Sequence, residues 1–311
     1  MPKLPQVDRF SDSMSDHPHW NESVWFSLSI PELGIHGFIQ YYFRPNMGLL
    51  NGGPVLWDGS GNQVWNCLYF NWCHLQACPA GAEKFNMTAP NSLCVKIIES
   101  TQRYAISYAS DDLVLDLEWQ AIGPIHQLKS QSGAQQAAHK YHMEQPGRMA
   151  GVAQLHGKDY PIACCSMRDT SYGPRVYDKS SVGGYFWGIS EGQAFHAIAK
   201  GDSAIQDVIG GFILQDNLLG SLTSGCRQVI EYGRYGPKVI QLDATDEHGR
   251  TIKATGALSD GLIFTGYTDR TIVWSLLQWD WNGAELWGDN QEFCSAARFR
   301  KIARGDITLA V

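Results

Sequence analysis

The residue types most suited to acid–base chemistry fall together in Arg168-Asp169-Thr170-Ser171-Tyr172-Gly173-Pro174-Arg175. A carboxyl, a phenol and two hydroxyls stand between two guanidiniums, and carboxyl and phenol groups both serve as general acids and bases. Gly173-Pro174 reads as a turn. Tyr160 to Cys165 before it and Gly184 to Ile189 after it read as apolar strands. The octapeptide is therefore expected to be a polar loop presented by a rigid sheet, a common way to build a site. The alternative is that Asp169 is ionised, paired with Arg168 or Arg175, and only ties the loop down.

A second cluster, His17-Pro18-His19-Trp20-Asn21-Glu22-Ser23, runs straight into Val24-Trp25-Phe26-Ser27-Leu28-Ser29-Ile30. The second run alternates with period two, as a half-buried strand does. It places Glu22, with His19, Trp20 and Trp25, at the mouth of a hairpin. Glu22 is either a partner acid or base, or a solvated strand end. Tyr42 and Arg44, at the far end of the returning strand Gly37 to Arg44, could orient a carbonyl or carboxylate. The bland reading of Arg44 is surface charge. His196, between Phe195 and Ala197, is either an inward general base or a core histidine. Asp289-Asn290-Gln291-Glu292 is expected as an acidic turn capping the second half, the alternative being that Glu292 points inward. His17-x-His19 and His139-x-x-His142 have spacings that suit two metal ligands. No third or fourth ligand can be named, so no metal is expected.

The run from His142-Met143-Glu144-Gln145-Pro146-Gly147-Arg148 through Gly151 to Arg168-Asp169-Thr170-Ser171-Tyr172-Gly173 resembles the start of the second domain of the carotenoid hydratases, whose relatives include lipocalin-like Diels–Alderases. There a Glu-Gln-Pro-x-Arg strand with a following Gly leads to an Asp-His-Asn-Trp-Gly loop. Asp169 and Gly173 are kept, and Thr170, Ser171 and Tyr172 replace His, Asn and Trp. The resemblance implies two tandem lipocalin-like antiparallel β-barrel or sandwich domains. It also implies that Asp169 protonates a hydrophobic substrate; Glu22 and Tyr172 are further catalytic candidates read from the residues themselves. That role needs a carboxylic acid kept protonated in apolar surroundings, with aromatic faces near developing positive charge. Trp187, Trp274 and Trp279, with Tyr185 and Phe186, are the aromatics expected to serve.

The chain has 311 residues, long enough for two domains with real cores. With 44% hydrophobic and 18% charged residues it is globular rather than disordered. Thirty-two glycines beside 11 tryptophans, 13 tyrosines and 12 phenylalanines suit an all-β protein with many turns. A net charge of −7 argues against a nucleic-acid partner. No run of 18 apolar residues and no secretory apolar segment is evident, so no stable membrane insertion and a cytoplasmic location are expected. The eight cysteines are then expected as reduced thiols, mostly in the core.

Many short strands recur at about 8–12-residue spacing. Leu113, Leu115, Leu117 and Trp119 mark one face of a strand whose Glu118 is either solvated or buried. Gly123 to His142 breaks the rhythm. It is expected to be a long connection with a helical turn at Ala134 to Lys140, of the kind that often serves as a lid. The boundary is placed near its end, giving domains 1–143 and 144–311. Helices long enough for βαβ units are missing, which excludes a Rossmann-type fold. Gly-x-Gly-x-x-Gly, Walker and Gly-x-Ser-x-Gly motifs are missing too, so no nucleotide cofactor or serine hydrolase is supported.

Together these readings lead to a cofactor-independent enzyme, a lyase or an isomerase/cyclase. It would act on a hydrophobic terpenoid, steroid or polyketide-like molecule by hydration or dehydration, isomerisation or cyclisation, in a pocket between the β-domains. The other reading is a carrier that binds such a molecule and does no chemistry. The oligomeric state is not legible.

Overall fold

The computed structural model describes residues 5–128, 141–175, 182–259, 261–265 and 269–309. The expected period-two pattern becomes strand throughout. In Leu113–Ala121 the side chains of Leu113, Leu115, Leu117 and Trp119 are buried while Val114, Asp116 and Gln120 are exposed. Glu118 lies half-exposed and accepts from Arg103 at 2.8 Å. About 65% of the described residues are strand and 6% helix, which makes the protein all-β.

The chain divides into two compact units, each lipocalin-like. The first comprises Met1–Ile30, His36–Leu56 and Leu68–Val176; the second comprises Pro31–Ile35, Trp57–Cys67 and Tyr177–Val311. The boundary expected at 143/144 differs from this division, which falls after residue 176. The reason is hydrogen bonding. Tyr141–Leu155 pairs with Leu113–Ala121 on one side and Lys158–Pro174 on the other, and Lys158–Pro174 pairs onward with Trp20–Ile30. The motif that resembles the start of a second domain therefore completes the sheet of the first. The helical turn expected at Ala134 to Lys140 lies outside the described residues.

The first unit is a curled half-barrel sheet. Its central strands, in order, are Leu49–Trp57, Ile35–Arg44, Trp20–Ile30, Lys158–Pro174, Tyr141–Leu155, Leu113–Ala121, Arg103–Ala109 and Cys94–Glu99. Val24, Phe26, Leu28, Ile39, Tyr41, Phe43, Trp119 and Met149 belong to one core cluster, which defines the inner face. Gly147 packs directly against the neighbouring strand. A Cβ there would meet the Trp119 ring at 2.3 Å. Gly147→Ala is therefore expected to destabilise the protein by about 1–3 kcal/mol through overpacking, read as a lowered denaturant midpoint with an unchanged slope.

Arg168 to Pro174 is not a loop. It is the last part of the 17-residue strand Lys158–Pro174, a central strand with partners on both sides. A polar segment is tolerated there because Arg168, Asp169, Ser171 and Tyr172 each find a side-chain partner within the first unit. Pro174 ends the strand, as a residue without an N–H does.

The second unit is a closed eight-strand barrel. Its strands are Gly183–Ser190, Gln193–Lys200, Ile205–Gln215, Leu218–Tyr232, Pro237–Asp246, Thr251–Leu258, Arg270–Trp281 and Ala284–Ser295. Thr251–Leu258 pairs with Arg270–Trp281, and Gly183–Ser190 with Ala284–Ser295, which closes the ring. Phe186, Phe195, Val229, Ile240, Leu277 and Trp279 pack its interior. Asp289 to Glu292 is strand, not the expected turn. The helix Ala296–Arg304, unforeseen in the sequence, starts at an N-cap in which Ser295 accepts from the Arg298 N–H. Residues of the Trp57–Cys67 segment bridge to the barrel, where the Ile263 N–H donates to the Asn62 carbonyl at 2.8 Å. Among the described residues no helix is long and apolar enough to cross a membrane.

Candidate functional site

Strand alternation sorts the expected site residues of the first unit onto opposite faces of one sheet. Glu22 lies across from Tyr172, Val24 from Thr170 and Phe26 from Arg168, all on the inner face. Trp25 lies across from Asp169, on the other. Asp169 and Tyr172, three residues apart, therefore do not share a face.

The inner-face set is a network of buried charge. Arg168 donates to Asp8 at 3.0 Å and to Gln145 at 2.9 Å, and its guanidinium lies 4.2 Å from the Tyr104 ring centroid. Asp8 also accepts from the Tyr104 hydroxyl, the Ser100 hydroxyl and the Thr101 N–H. Glu22 accepts from Trp20 Nε1 at 3.2 Å, the Ser11 N–H at 3.0 Å and Lys84 Nζ at 3.4 Å. Burial pulls the Lys84 ammonium down to about 8, against the opposing attraction of Glu22. Tyr172 stacks on Tyr141 with centroids 5.0 Å apart and accepts from Gln6 Nε2 at 2.8 Å. Both side chains in each ion pair are fully buried. This is an arrangement that holds a core together, with both ion pairs out of reach of solvent.

On the other face Asp169 meets neither arginine named for it. Arg168 points away, and Arg175 donates to Ser171 Oγ at 2.6 Å. The partner of Asp169 is His142, whose Nε2 lies 3.0 Å from Asp169 Oδ2 and 3.1 Å from Glu144 Oε1. The cause is local. His142 and Glu144 are two apart on Tyr141–Leu155 and so share a face, and Glu144 sits directly across from Asp169. Burial disfavours the charged imidazole, but the Asp169 charge and hydrogen bond, then those of Glu144, outweigh it and hold His142 up at about 9. At neutral pH it is an imidazolium bridging two carboxylates. Glu144 is nearly buried at 3% exposure, whereas His142 at 13% and Asp169 at 22% are within reach of a ligand.

Sequence reasoning named His142 only as a metal candidate, with His139, which lies outside the described residues. It passed over Glu144. The i, i+2 spacing of His142 and Glu144 was the available signal. The three ligand atoms lie within 4.8 Å of one another. A metal ion there would have to displace the proton that now joins them.

The same face carries buried aromatic side chains. Phe38, Gln40 and Tyr42 alternate with the inner Ile39, Tyr41 and Phe43. Phe38 and Tyr42 both lie against Trp72, at 6.2 and 6.4 Å between ring centroids. Arg44 sits 5.6 Å over the Tyr42 ring and donates to the His19 carbonyl. His19 is itself exposed and rings with His17 at 5.9 Å. Trp20 is fully buried on the inner side.

In the second unit Trp279 is barrel core, packed on Phe195 at 5.0 Å and donating to the Trp187 carbonyl. Trp187 and His196 lie across from each other, and both alternate with core residues, so they face out from the barrel interior. His196 is fully buried beside Tyr185, at 4.7 Å. Trp274 packs edge-on to Phe264 at 5.7 Å. Glu292 points inward and pairs with Arg227 at 2.7 Å.

A family described only as a domain of unknown function, DUF7064, matches residues 6–293. The chain belongs to that family. No curated protein matches this DUF7064 chain by sequence. Among solved structures, kievitone hydratase from Nectria haematococca superposes with a TM-score of 0.55 at 10% identity, over 92% of each chain. CghA superposes with a TM-score of 0.52 at 9% identity, over 88% of each chain. At such identities the likeness is one of fold. It is the lipocalin-like β-fold that the resemblance of the 142–173 motif implies.

Proposed function

We propose that this chain is a cofactor-independent enzyme acting on a hydrophobic terpenoid, steroid or polyketide-like molecule by acid-assisted hydration or dehydration, isomerisation or cyclisation. The observation that carries the reading is the 3.0 Å contact between His142 Nε2 and Asp169 Oδ2, on a sheet face shared with Trp25, Phe38 and Tyr42. The fold shared with a protein named as a hydratase supports it by analogy only.

The geometry narrows the chemistry. Asp169, the more exposed partner, meets the substrate and passes on the proton, while Glu144 holds the imidazole in place. A proton that leaves His142 only at about 9 is a weak acid for an isolated alkene. It suits an enol or dienol, formed from an unsaturated ketone, in which the oxygen donates electron density and makes the carbon far more basic. After delivery the neutral imidazole takes a proton back, either from attacking water or from a neighbouring carbon. Hydration and isomerisation thus differ only in the source of that returning proton.

The test uses deuterium oxide and a set of unsaturated terpenoid, steroid and polyketide ketones. Saturable, protein-dependent incorporation of deuterium at carbon is expected for at least one. Because the protonated imidazole is the active form, exchange should hold steady at neutral pH and fall as pH rises through about 9. Tight binding without exchange for every ligand would assign the protein as a carrier instead.

A further inference from the structure

One end of the closed barrel holds a cavity of about 420 Å³, with Asn62, Tyr235, Ser275, Asn290 and Glu292 in its lining. Its size is that of a small-molecule site. None of His142, Glu144 and Asp169 lines it, so it stands apart from the proposed acid–base chemistry.

Asn290 is the informative residue. It is 1% exposed. Its Oδ1 accepts from an Arg227 Nη at 3.3 Å. A guanidinium can only donate, so this contact fixes the amide's orientation and turns Nδ2 away from Arg227. Nδ2 is buried and has no hydrogen-bond partner among the described residues. A buried donor left unpaired is costly and calls for an acceptor. Ser275, also buried, lies directly across the strand pair from Asn290. Glu292, two residues along the same strand, offers a carboxylate whose charge Arg227 already balances.

These groups select the ligand by chemistry. The charges in the lining, Asp58 and Glu292 against Arg234 and Lys238, cancel, so net charge favours neither an anion nor a cation, and a cation would leave the Asn290 donor unused. A hydroxyl satisfies both Asn290 and Glu292, accepting from Nδ2 while donating to the carboxylate. The Tyr235 ring supplies a flat apolar wall suited to the C–H face of a sugar. We propose that this end of the barrel binds a small uncharged polyhydroxylated molecule of monosaccharide type.

The test is calorimetric titration of the full chain with glucose, galactose, mannose, N-acetylglucosamine and myo-inositol in turn. Saturable binding of at least one is expected. Asn290→Asp keeps an acceptor for Arg227 but removes the free donor, and should weaken that binding about tenfold. Gly236→Leu should abolish it. A Cβ at Gly236 would meet nothing nearer than 4.0 Å, and its φ is ordinary, so the side chain grows into the cavity without backbone strain. Thermal unfolding of each variant separates lost binding from lost fold. No saturable binding of any of the five, or full binding retained by a folded Gly236→Leu protein, would overturn the proposal.

Discussion

Asp169→Asn is expected to lower the rate of proton transfer to carbon by about 10²–10⁴-fold, the usual contribution of a general acid, with ligand affinity nearly unchanged. The amide keeps the shape but cannot pass on a proton. His142→Gln should cost a similar factor, and the double variant little more, because the two residues act as one unit. Stability gives an independent reading of the pair. The folded-state value for His142, about 9, lies above its ordinary 6.5. Its contribution is therefore fully present below 6.5 and is lost as pH rises through 9. Denaturant unfolding should show the wild-type protein weakening across that window and His142→Gln losing the dependence. An unchanged rate in a normally folded Asp169→Asn protein would remove the pair from the mechanism. A rate that merely tracked the folded fraction would make Asp169 an anchor.

Arg168→Met is expected to destabilise the protein by about 3–5 kcal/mol, the usual cost of breaking a buried ion pair from one side. The reason lies in what remains. Asp8 would keep its charge with no cation beside it, in a site where both partners are fully buried. Removing both charges, as in Asp8→Asn with Arg168→Met, should restore much of the loss. The native pair is not ideal, since Arg168 Nε is buried without an acceptor among the described residues. Lys84→Met should behave in the same way toward Glu22. Urea unfolding of the single and double variants forms a mutant cycle. A single-variant loss below about 1 kcal/mol would mean that water reaches the network and the pair is effectively at the surface.

Both units bury an arginine in the same manner. Arg168 donates to Gln145 and Asp8, and Arg227 to Gln206 and Glu292, each with an aromatic ring beside the guanidinium. The two halves of the sequence show no such kinship, because the acid comes from Asp8 in one unit and from Glu292 in the other. Only the chain's return path brings either acid to its arginine.

Local pattern alone determined the all-β class and most strands, because alternation of side chains between faces is a property of a strand's own residues, as in Leu113 to Trp119. Hairpin turns such as His156-Gly157 were legible for the same reason, since both residues adopt positive φ there. What tertiary structure decided depends on residues far apart in the chain. Arg168 to Pro174 carries turn chemistry, yet it is a strand because Trp20–Ile30, nearly 150 positions earlier, pairs with it (Ser23 to Ser171 spans 148 residues). Once it is a strand, Asp169 must face away from Arg168 and Tyr172, which the octapeptide read as a loop could not reveal. Its partners then come from the strand on its other side, as His142 and Glu144. The residue types suited to chemistry were present in the sequence, but the pairing of strands, a long-range choice, decided which of them meet.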